Sequence, residues 1–199
     1  PELTAEQTVA IDSVAVDGGF SAQLLFGVTG SGKTEVYLRL VERTLALGGQ
    51  VLLMVPEINL TPQLEERVRS RFPERTVVSL HSELAEAARE RNWRSAFAGE
   101  AEIILGTRLS IFTPLPRLAL IIVDEEHDAS FKQQDGMRYS ARDVAVVRAR
   151  QLSIPILLGS ATPSLESWAN AQGGRYGLQT LKERANPEAQ LPAVHIIDT

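Results

Sequence analysis

The segment Gly27-Val28-Thr29-Gly30-Ser31-Gly32-Lys33-Thr34 decides the fold of this chain. It fits the phosphate-loop pattern G-x-x-x-x-G-K-[S/T], in which glycines let backbone N–H groups converge on a phosphate at the start of a helix. The apolar run 22–26 before it is typical of a buried strand, and residues 34–45 after it carry apolar side chains at helical spacing. The order of strand, loop and helix therefore predicts a nucleoside triphosphate site.

The phosphate-loop pattern assigns roles to individual residues. Lys33 is expected to reach the β- and γ-phosphates of ATP, and Thr34 is expected to hold Mg²⁺. A further candidate is Gln7, for which two roles remain open. It lies three residues after Thr4, which predicts a capping box, and a Gln before a phosphate loop can also bind the adenine edge. The predicted nucleotide-binding residues are Gln7, Gly27, Thr29, Gly30, Ser31, Gly32, Lys33 and Thr34.

Apolar runs alternate with helical patterns along the rest of the chain. The runs are continuous rather than alternating, which is typical of a mainly parallel sheet with helices on both faces. Ligands of such α/β sheets bind at the carboxyl ends of the strands, where the polar motifs of this chain fall. The predicted strands lie near 22–26, 51–55, 76–80, 101–105, 118–123, 156–158 and 178. Predicted helices cover 4–16, 34–45, 83–97 and 140–152, and two more begin near residues 61 and 164.

Composition limits the class of protein. The chain has 199 residues, 44% of them hydrophobic, which is enough for one good core. The absence of Cys excludes disulfides and thiolate metal sites and fits a cytoplasmic location. The net charge of -5 opposes attraction of the whole surface to nucleic acid but allows a local basic track. No apolar run is long enough for a membrane span, so we expect no membrane association. Because it begins at Pro1 without Met, we expect a piece of a longer protein.

An acidic pair follows the apolar run 118–123. Asp124 is expected to bind Mg²⁺, and Glu125 to orient and deprotonate the attacking water. The alternative is an acidic first turn of a helix, which suits the helix dipole, but the upstream phosphate loop favours the catalytic interpretation. His127 then completes an Asp-Glu-x-His motif of the superfamily 2 helicase type. It is expected to couple the nucleotide site to Ser160-Ala161-Thr162, although a lone His is more often structural and the hydroxyl residues could merely cap a helix.

Several motifs together resemble the PriA family of bacterial replication-restart DNA helicases. The narrowest of them is the acidic motif followed by Lys-Gln-Gln-Asp-Gly and Arg-Tyr. The resemblance spans nearly the whole chain. The matching segments are 27–37 (GVTGSGKTEVY), 55–63 (VPEINLTPQ), 80–82 (LHS), 106–108 (GTR), 124–128 (DEEHD), 131–143 (FKQQDGMRYSARD) and 159–164 (GSATPS).

The resemblance implies the first RecA-like lobe of a 3′→5′ DNA helicase, with residues 1–181 forming the lobe and 182–199 a linker. It also implies an aromatic-rich loop that couples DNA contact to hydrolysis, and rings in such a loop can stack on unpaired bases. The alternative is a surface loop with buried anchoring rings. Met137 stands where a Trp is expected, which weakens the stacking role. The DNA-binding and coupling residues implied are Thr107, Arg108, Phe131, Lys132, Arg138, Tyr139, Ser160 and Thr162. For Thr107 and Arg108, a helix cap with a solvated Arg is the alternative.

The resemblance also implies cofactors and partners. ATP and Mg²⁺ are the expected cofactors. Zinc is expected only in a cysteine-containing region of the longer protein, and the second lobe with its arginine finger is also expected outside this chain. Single-stranded and forked DNA are the expected partners. The longer protein is also expected to bind primosome and single-strand-binding proteins, and to be a monomer. We expect the isolated lobe to hydrolyse ATP slowly or not at all, because half of the transition-state charge stabilisation is missing.

Different functions remain possible at this point. The first is an enzyme that uses ATP to translocate on and unwind DNA at stalled or repaired forks and to promote primosome assembly. The second is a nucleotide-switched loading platform for other replication proteins. Glu125 favours hydrolysis, because a switch needs no water-activating carboxylate. A restriction or RNA-directed superfamily 2 motor is a third possibility, and the loop after the acidic motif speaks against it.

Overall fold

The computed structural model describes residues 2–185 and has an α/β architecture. Its strands are β1 (Ala22–Gly27), β2 (Gln50–Met54), β3 (Val77–Leu80), β4 (Ile103–Gly106), β5 (Leu118–Val123), β6 (Lys132–Gln133), β7 (Tyr139–Ser140), β8 (Ile156–Ser160) and β9 (Gly177–Leu181). Its helices are α1 (Ala5–Asp12), α2 (Lys33–Ala46), α3 (Pro62–Arg71), α4 (Glu86–Phe97), α5 (Ala141–Leu152) and α6 (Leu165–Gln172).

The centre of the fold is a seven-stranded sheet in the order β3-β4-β2-β5-β8-β1-β9, with every neighbouring pair parallel. Consecutive strand residues point to opposite faces. Leu25 therefore packs with α1, α2 and α3, whereas Leu24 packs with the side chains of α4, α5 and α6. Both faces are covered, which is why the strands are continuously apolar, and the predicted α/β fold class is confirmed.

Side-chain caps begin four of the helices at residues that the sequence marks. Thr4, Thr61, Ser140 and Ser164 each accept a hydrogen bond from a backbone N–H of the first turn. At Thr4 the capping box is complete, because the Gln7 side chain returns a bond to the Thr4 backbone. Caps of this kind stabilise a helix by about 1 kcal/mol each, so they fix where these elements start.

The differences from the sequence-based boundaries are small and local. The first helix ends at Asp12 rather than near Val16, and α4 begins at Glu86 rather than near Glu83, after an Ala85 that has no capping side chain. The antiparallel pair β6–β7 was not predicted, since two-residue strands are too short for a periodic signal. Short 3₁₀ turns at 57–59, 108–112 and 129–131 also follow strand ends without a sequence pattern that marks them.

The chain leaves the sheet across the phosphate loop. After β9, Lys182 N donates to Glu6 Oε2 at 2.8 Å and Ala185 N donates to Gly30 O at 3.0 Å. Most of the predicted linker, residues 186–199, lies outside the described residues, so the division at residue 181 stays a prediction. Among the helices that are described, none is long and apolar enough to cross a membrane.

Candidate nucleotide-binding and coupling site

The phosphate loop connects the carboxyl end of β1 to the start of α2, as predicted. Gly32 is the residue before the helix and has φ of +84°, a conformation that L side chains rarely adopt. A Cβ there would also lie 2.3 Å from the Gln7 side-chain nitrogen, so only glycine fits. Thr29 and Gly30 are exposed and Thr34 is half-buried. The loop therefore presents accessible backbone where a phosphate group would bind.

Lys33 connects the loop to the acidic motif. Its Nζ donates to the Gly27 carbonyl at 2.9 Å and lies 3.9 Å from Glu125 Oε1. The side chain is buried to 9% exposure, so its charge acts in a poorly solvated place where electrostatic interactions are strong. This position is the one that a phosphate-neutralising lysine requires.

Gln7 forms the capping box with Thr4, which is one of its two possible roles. Its Oε1 accepts from Thr4 N at 2.9 Å, and its Nε2 donates to the Ser31 carbonyl of the phosphate loop at 3.0 Å. The side chain is 2% exposed, and its amide oxygen and amide nitrogen each make one of these hydrogen bonds. It therefore braces the phosphate loop from α1, and an adenine contact by Gln7 stays a prediction.

The acidic motif lies at the carboxyl end of β5, beside β2 and β8. Asp124 N donates to the Met54 carbonyl at 2.9 Å, which continues the ladder and places Asp124 at the end of the strand. Glu125 has φ of +46°, an unusual value for a residue with a Cβ. Backbone strain of this kind costs roughly 1–3 kcal/mol and clusters at functional sites. Here it accompanies the placement of the Glu125 carboxylate near Lys33.

His127 contacts both hydroxyl residues that the sequence singles out. Its Nδ1 lies 2.8 Å from Ser160 Oγ, and its Nε2 lies 3.2 Å from Thr162 Oγ1. The Nδ1 atom is also 3.6 Å from Glu125 Oε2. The structure therefore brings the acidic motif and the Ser-Ala-Thr segment into one hydrogen-bonded chain. Glu125 lies beside this chain, at an ion-pair distance from His127 rather than at a hydrogen-bond distance.

A tyrosine that the sequence analysis missed also contacts the acidic motif. Tyr37 donates from its hydroxyl to Asp124 Oδ1 at 2.8 Å, although the two residues are 87 positions apart. Burial raises the pKa of Tyr37 well above its usual value, and the nearby Asp124 raises it further, so the hydroxyl keeps its proton and acts as a donor. Along the helix Tyr37 belongs to an apolar stripe, which gives no signal of this contact.

A buried ion pair that was also missed lies beside the site. Glu126 accepts from Arg142 Nη1 at 3.1 Å, from Ser164 N at 2.7 Å and from Ser167 Oγ at 2.8 Å. Arg142 lies in the first turn of α5, where the helix dipole disfavours a cation. A cation in this unfavourable position was the one sequence feature that could have indicated an anionic partner for Arg142. The pair joins the acidic motif to the starts of α5 and α6.

Thr107 is buried, and Arg108 binds backbone carbonyls. Thr107 is 3% exposed, and its carbonyl accepts from the backbone and hydroxyl of Ser110. Arg108 Nη1 donates to the carbonyls of Ser130 at 3.2 Å and Lys132 at 3.3 Å. Arg108 is therefore not a freely solvated side chain, and a DNA contact by this pair stays a prediction. Arg108 holds the loop that follows the acidic motif.

The aromatic-rich loop forms the β6–β7 hairpin and divides its residues into two kinds. Phe131 is 1% exposed and packs in the core, so its ring anchors the loop as the alternative interpretation expected, while its coupling role stays a prediction. Tyr139 is half-buried and packs edge-on against Phe112 at 5.1 Å between ring centroids. Lys132 and Arg138 are exposed, as a DNA contact requires. Met137 at the tip is 75% exposed.

The donor set fits a magnesium ion that is shared with a nucleotide. Within residues 2–185, no group of three or more His, Cys, Asp or Glu side chains is arranged to hold a metal. Mg²⁺ in nucleotide sites, however, usually takes one or two protein oxygens and fills its shell with phosphates and water. Thr34 and Asp124 offer a hydroxyl and a carboxylate for this purpose.

Burial of Asp124 predicts a pH-dependent cost to stability. Desolvation raises the pKa of Asp124 above its usual 3.8, and the Tyr37 hydrogen bond opposes that rise. A raised pKa means that the folded state binds more protons, so stability falls as the pH rises from 3.8 through the raised value. We expect Asp124→Asn to be more stable than the wild type at pH 7 in the nucleotide-free chain, because the amide carries no charge to desolvate.

Urea unfolding of the nucleotide-free chain at several pH values measures this effect. The advantage of Asp124→Asn should shrink as the pH falls toward 4, whereas Asp17→Asn, at an exposed carboxylate, should match the wild type throughout. An Asp124→Asn protein that is no more stable than the wild type at pH 7 would contradict the prediction.

The sequence matches a family model and proteins of known function. The DEAD/DEAH box helicase model matches residues 4–171. The replication restart protein PriA of Haemophilus influenzae is 48% identical over 189 residues, covering 95% of this chain and 26% of that protein. PriA of Bacillus subtilis is 44% identical over 199 residues, covering 98% of this chain and 24% of that protein. The chain thus spans about a quarter of the length of the curated relatives it matches.

Solved helicase structures share the fold. RecG bound to a three-way DNA junction superimposes with a TM-score of 0.69 at 23% identity, covering 96% of this chain and 25% of that one. The DUF1998 helicase MrfA bound to DNA gives a TM-score of 0.66 at 16% identity, covering 92% of this chain and 27% of that one. At such identities the likeness concerns the fold alone, and it confirms the predicted RecA-like fold.

The motif-based resemblance to the PriA family is confirmed by similarity along almost the whole sequence. The helicase model covers the phosphate loop, the acidic motif and the Ser-Ala-Thr segment, whose contacts the structure describes. This chain therefore belongs to the DEAD/DEAH box helicase family.

Proposed function

We propose that this chain is the ATP-binding lobe of a longer 3′→5′ DNA helicase of superfamily 2, which remodels stalled or repaired replication forks and promotes primosome assembly in replication restart. The similarity to PriA proteins supports the biological setting. The observation that carries the motor activity is the position of Glu125, between Lys33 and the His127 contact to Ser160. A nucleotide switch needs no carboxylate at that point.

The nucleotide is bound and hydrolysed at the carboxyl ends of β1 and β5. The phosphate loop holds the phosphates, and Lys33 neutralises their charge. Mg²⁺, held by Thr34 and Asp124, supplies further charge neutralisation when bound. Glu125 orients and deprotonates the attacking water. His127 passes the change on to Ser160 and Thr162, whose hydroxyls it contacts.

The β6–β7 hairpin provides the link to DNA. Lys132 and Arg138 are exposed cations that can follow a phosphate backbone, and Tyr139 offers a ring for an unpaired base. Arg108 Nε and Tyr139 Oη are buried without a hydrogen-bond partner within residues 2–185. These two polar groups are therefore available for a further hydrogen-bond partner. Single-stranded and forked DNA, primosome components and single-strand-binding protein are the proposed partners of the longer, cytoplasmic and monomeric protein.

The isolated lobe should be a poor enzyme. The resemblance places the arginine finger on a second lobe, and such a residue accelerates phosphoryl transfer by roughly 1,000-fold or more. We therefore expect the 199-residue chain to bind ATP weakly and to turn it over roughly 1,000-fold more slowly than the full-length protein. Side-by-side ATPase assays at saturating DNA measure this difference, and comparable turnover by the two proteins would refute the divided-site assignment.

DNA-stimulated hydrolysis by the full-length protein tests the proposed function. We expect forked DNA to stimulate the ATPase rate strongly. Tyr139→Ala should raise the DNA concentration needed for half-maximal stimulation by roughly tenfold, since a base stack contributes about 1–3 kcal/mol. A Lys132→Ala/Arg138→Ala variant should act in the same direction and more strongly at low salt.

Arg67→Ala provides a matched control, because Arg67 is an exposed cation on α3, away from the hairpin. It should leave the DNA response unchanged. Equal ATPase rates with and without DNA would overturn the motor assignment. That result would leave a nucleotide-switched loading platform as the function of the lobe.

A further inference from the structure

The Tyr37 hydroxyl lies in a buried space between Gly159 and Asp124. Tyr37 lies one helical turn after Lys33 on α2 and is 2% exposed. Its hydroxyl points past β8, at Gly159, and reaches Asp124 Oδ1 at 2.8 Å. A Cβ at Gly159 would lie 1.7 Å from that oxygen, so a glycine is needed there for the hydroxyl to pass. Helix, glycine and carboxylate come from three separate segments of the chain.

The hydrogen bond fixes one of the two oxygens of the Asp124 carboxylate. Oδ1 accepts from the Tyr37 hydroxyl and from Glu125 N at 3.0 Å, so both of these bonds converge on the same atom. Oδ2 is thereby left for an outside ligand. A carboxylate that is held in this way cannot rotate freely, and a donor on one oxygen stabilises the charge that a cation on the other oxygen requires.

We propose that Tyr37 is a positioning residue that orients Asp124 for magnesium-bound nucleotide. The inference deepens the proposed function and rests on it. Tyr37 lies behind the carboxylate and does not itself touch the nucleotide phosphates. It acts through Asp124, and because it belongs to the same helix as Lys33 and Thr34, it also keeps the acidic motif in register with the phosphate loop.

Magnesium dependence separates this role from a general packing role. In the full-length protein, the affinity for a fluorescent ATP analogue is measured over a series of free Mg²⁺ concentrations, with EDTA as the baseline. Tyr37→Phe keeps the ring and removes only the donor. We expect it to raise the Mg²⁺ concentration for half-maximal enhancement of binding by about 10- to 100-fold, the usual cost of losing an outer-shell partner. Affinity in EDTA should not change.

Two further variants sharpen the test. Gly159→Ala should shift the Mg²⁺ midpoint in the same direction, because its methyl group displaces the hydroxyl. In a Tyr37→Phe background it should add little, since the displaced oxygen is already absent. Tyr176→Phe, which removes a hydroxyl that contacts Asn170, should leave the midpoint at the wild-type value.

The outcomes distinguish the inference from the function on which it rests. An unshifted Mg²⁺ midpoint in Tyr37→Phe, with a wild type that binds and hydrolyses MgATP, would overturn the positioning role alone. A lower amplitude at an unchanged midpoint would do the same, because it reports only a loss of folded protein. A wild type without magnesium-dependent nucleotide binding would overturn both the positioning role and the proposed function.

Discussion

Glu125→Gln in the full-length protein should reduce DNA-stimulated ATP turnover by at least about 100-fold while ATP affinity stays within a few-fold of the wild type. A positioned general base contributes roughly 10²–10⁴-fold to the rate. The Glu125 carboxylate lies 3.9 Å from Lys33 Nζ and 3.6 Å from His127 Nδ1, on a backbone with φ of +46°. The amide of Gln keeps the size of the side chain but cannot accept a proton, so binding and hydrolysis should separate.

The measurement combines a steady-state ATPase assay with equilibrium binding of a fluorescent ATP analogue. Glu74→Gln is the matched control, because Glu74 is an exposed carboxylate before β3, at the amino edge of the sheet opposite the site. It should behave as the wild type in both assays. Turnover by Glu125→Gln within a few-fold of the wild type would remove Glu125 from the reaction and favour the switch alternative.

Glu126→Ala should destabilise the 199-residue chain by about 3–5 kcal/mol in urea unfolding. The Glu126 side chain is 0% exposed and its partner Arg142 is 7% exposed. Removing the carboxylate takes away the buried partner of the guanidinium and leaves only the exposed Asp143, at 2.8 Å, as a close counter-charge. It also takes an acceptor from Ser164 N at the start of α6 and from Ser167 Oγ.

An exposed carboxylate farther from the same arginine provides the control. Glu166 lies 3.9 Å from Arg142 Nη1, but its side chain is 62% exposed. Exposed ion pairs contribute about 0–1 kcal/mol, so Glu166→Ala should change stability by no more than that. Equal effects of the two substitutions would show that burial does not set the strength of this network. Glu126→Gln, which keeps an acceptor oxygen, should fall between them.

Local patterns in the sequence determined the architecture and the outline of the site. The phosphate loop was recognisable because its chemistry needs fixed residues at fixed spacing, and that spacing lies within one turn of chain. The continuous apolar strands predicted a sheet covered on both faces, and Thr4 and Ser140 marked helix starts. The strand ends then placed Asp124 near the phosphate loop, since parallel strands end at one edge.

The link between the acidic motif and the Ser-Ala-Thr segment was predicted from the motifs, and the structure brings their side chains into contact. His127 lies against Ser160 and Thr162 because β5 and β8 are neighbours in the sheet. The coupling role of the aromatic-rich loop stays a prediction, but the burial of its rings was not predictable. Its two aromatic residues differ in burial, and composition alone does not separate Phe131 in the core from the half-buried Tyr139.

Only the tertiary structure decided which side chains support the site. Tyr37 meets Asp124, Glu126 meets Arg142, and the guanidinium of Arg108 turns to backbone carbonyls. Periodicity along one element reports which of its faces is buried, but not which residue of a distant element lies opposite. That choice depends on the order of strands in the sheet and on the depth at which each helix packs. The sequence therefore predicted the groups that we propose for the chemistry, whereas the fold selected the partners that hold them in place.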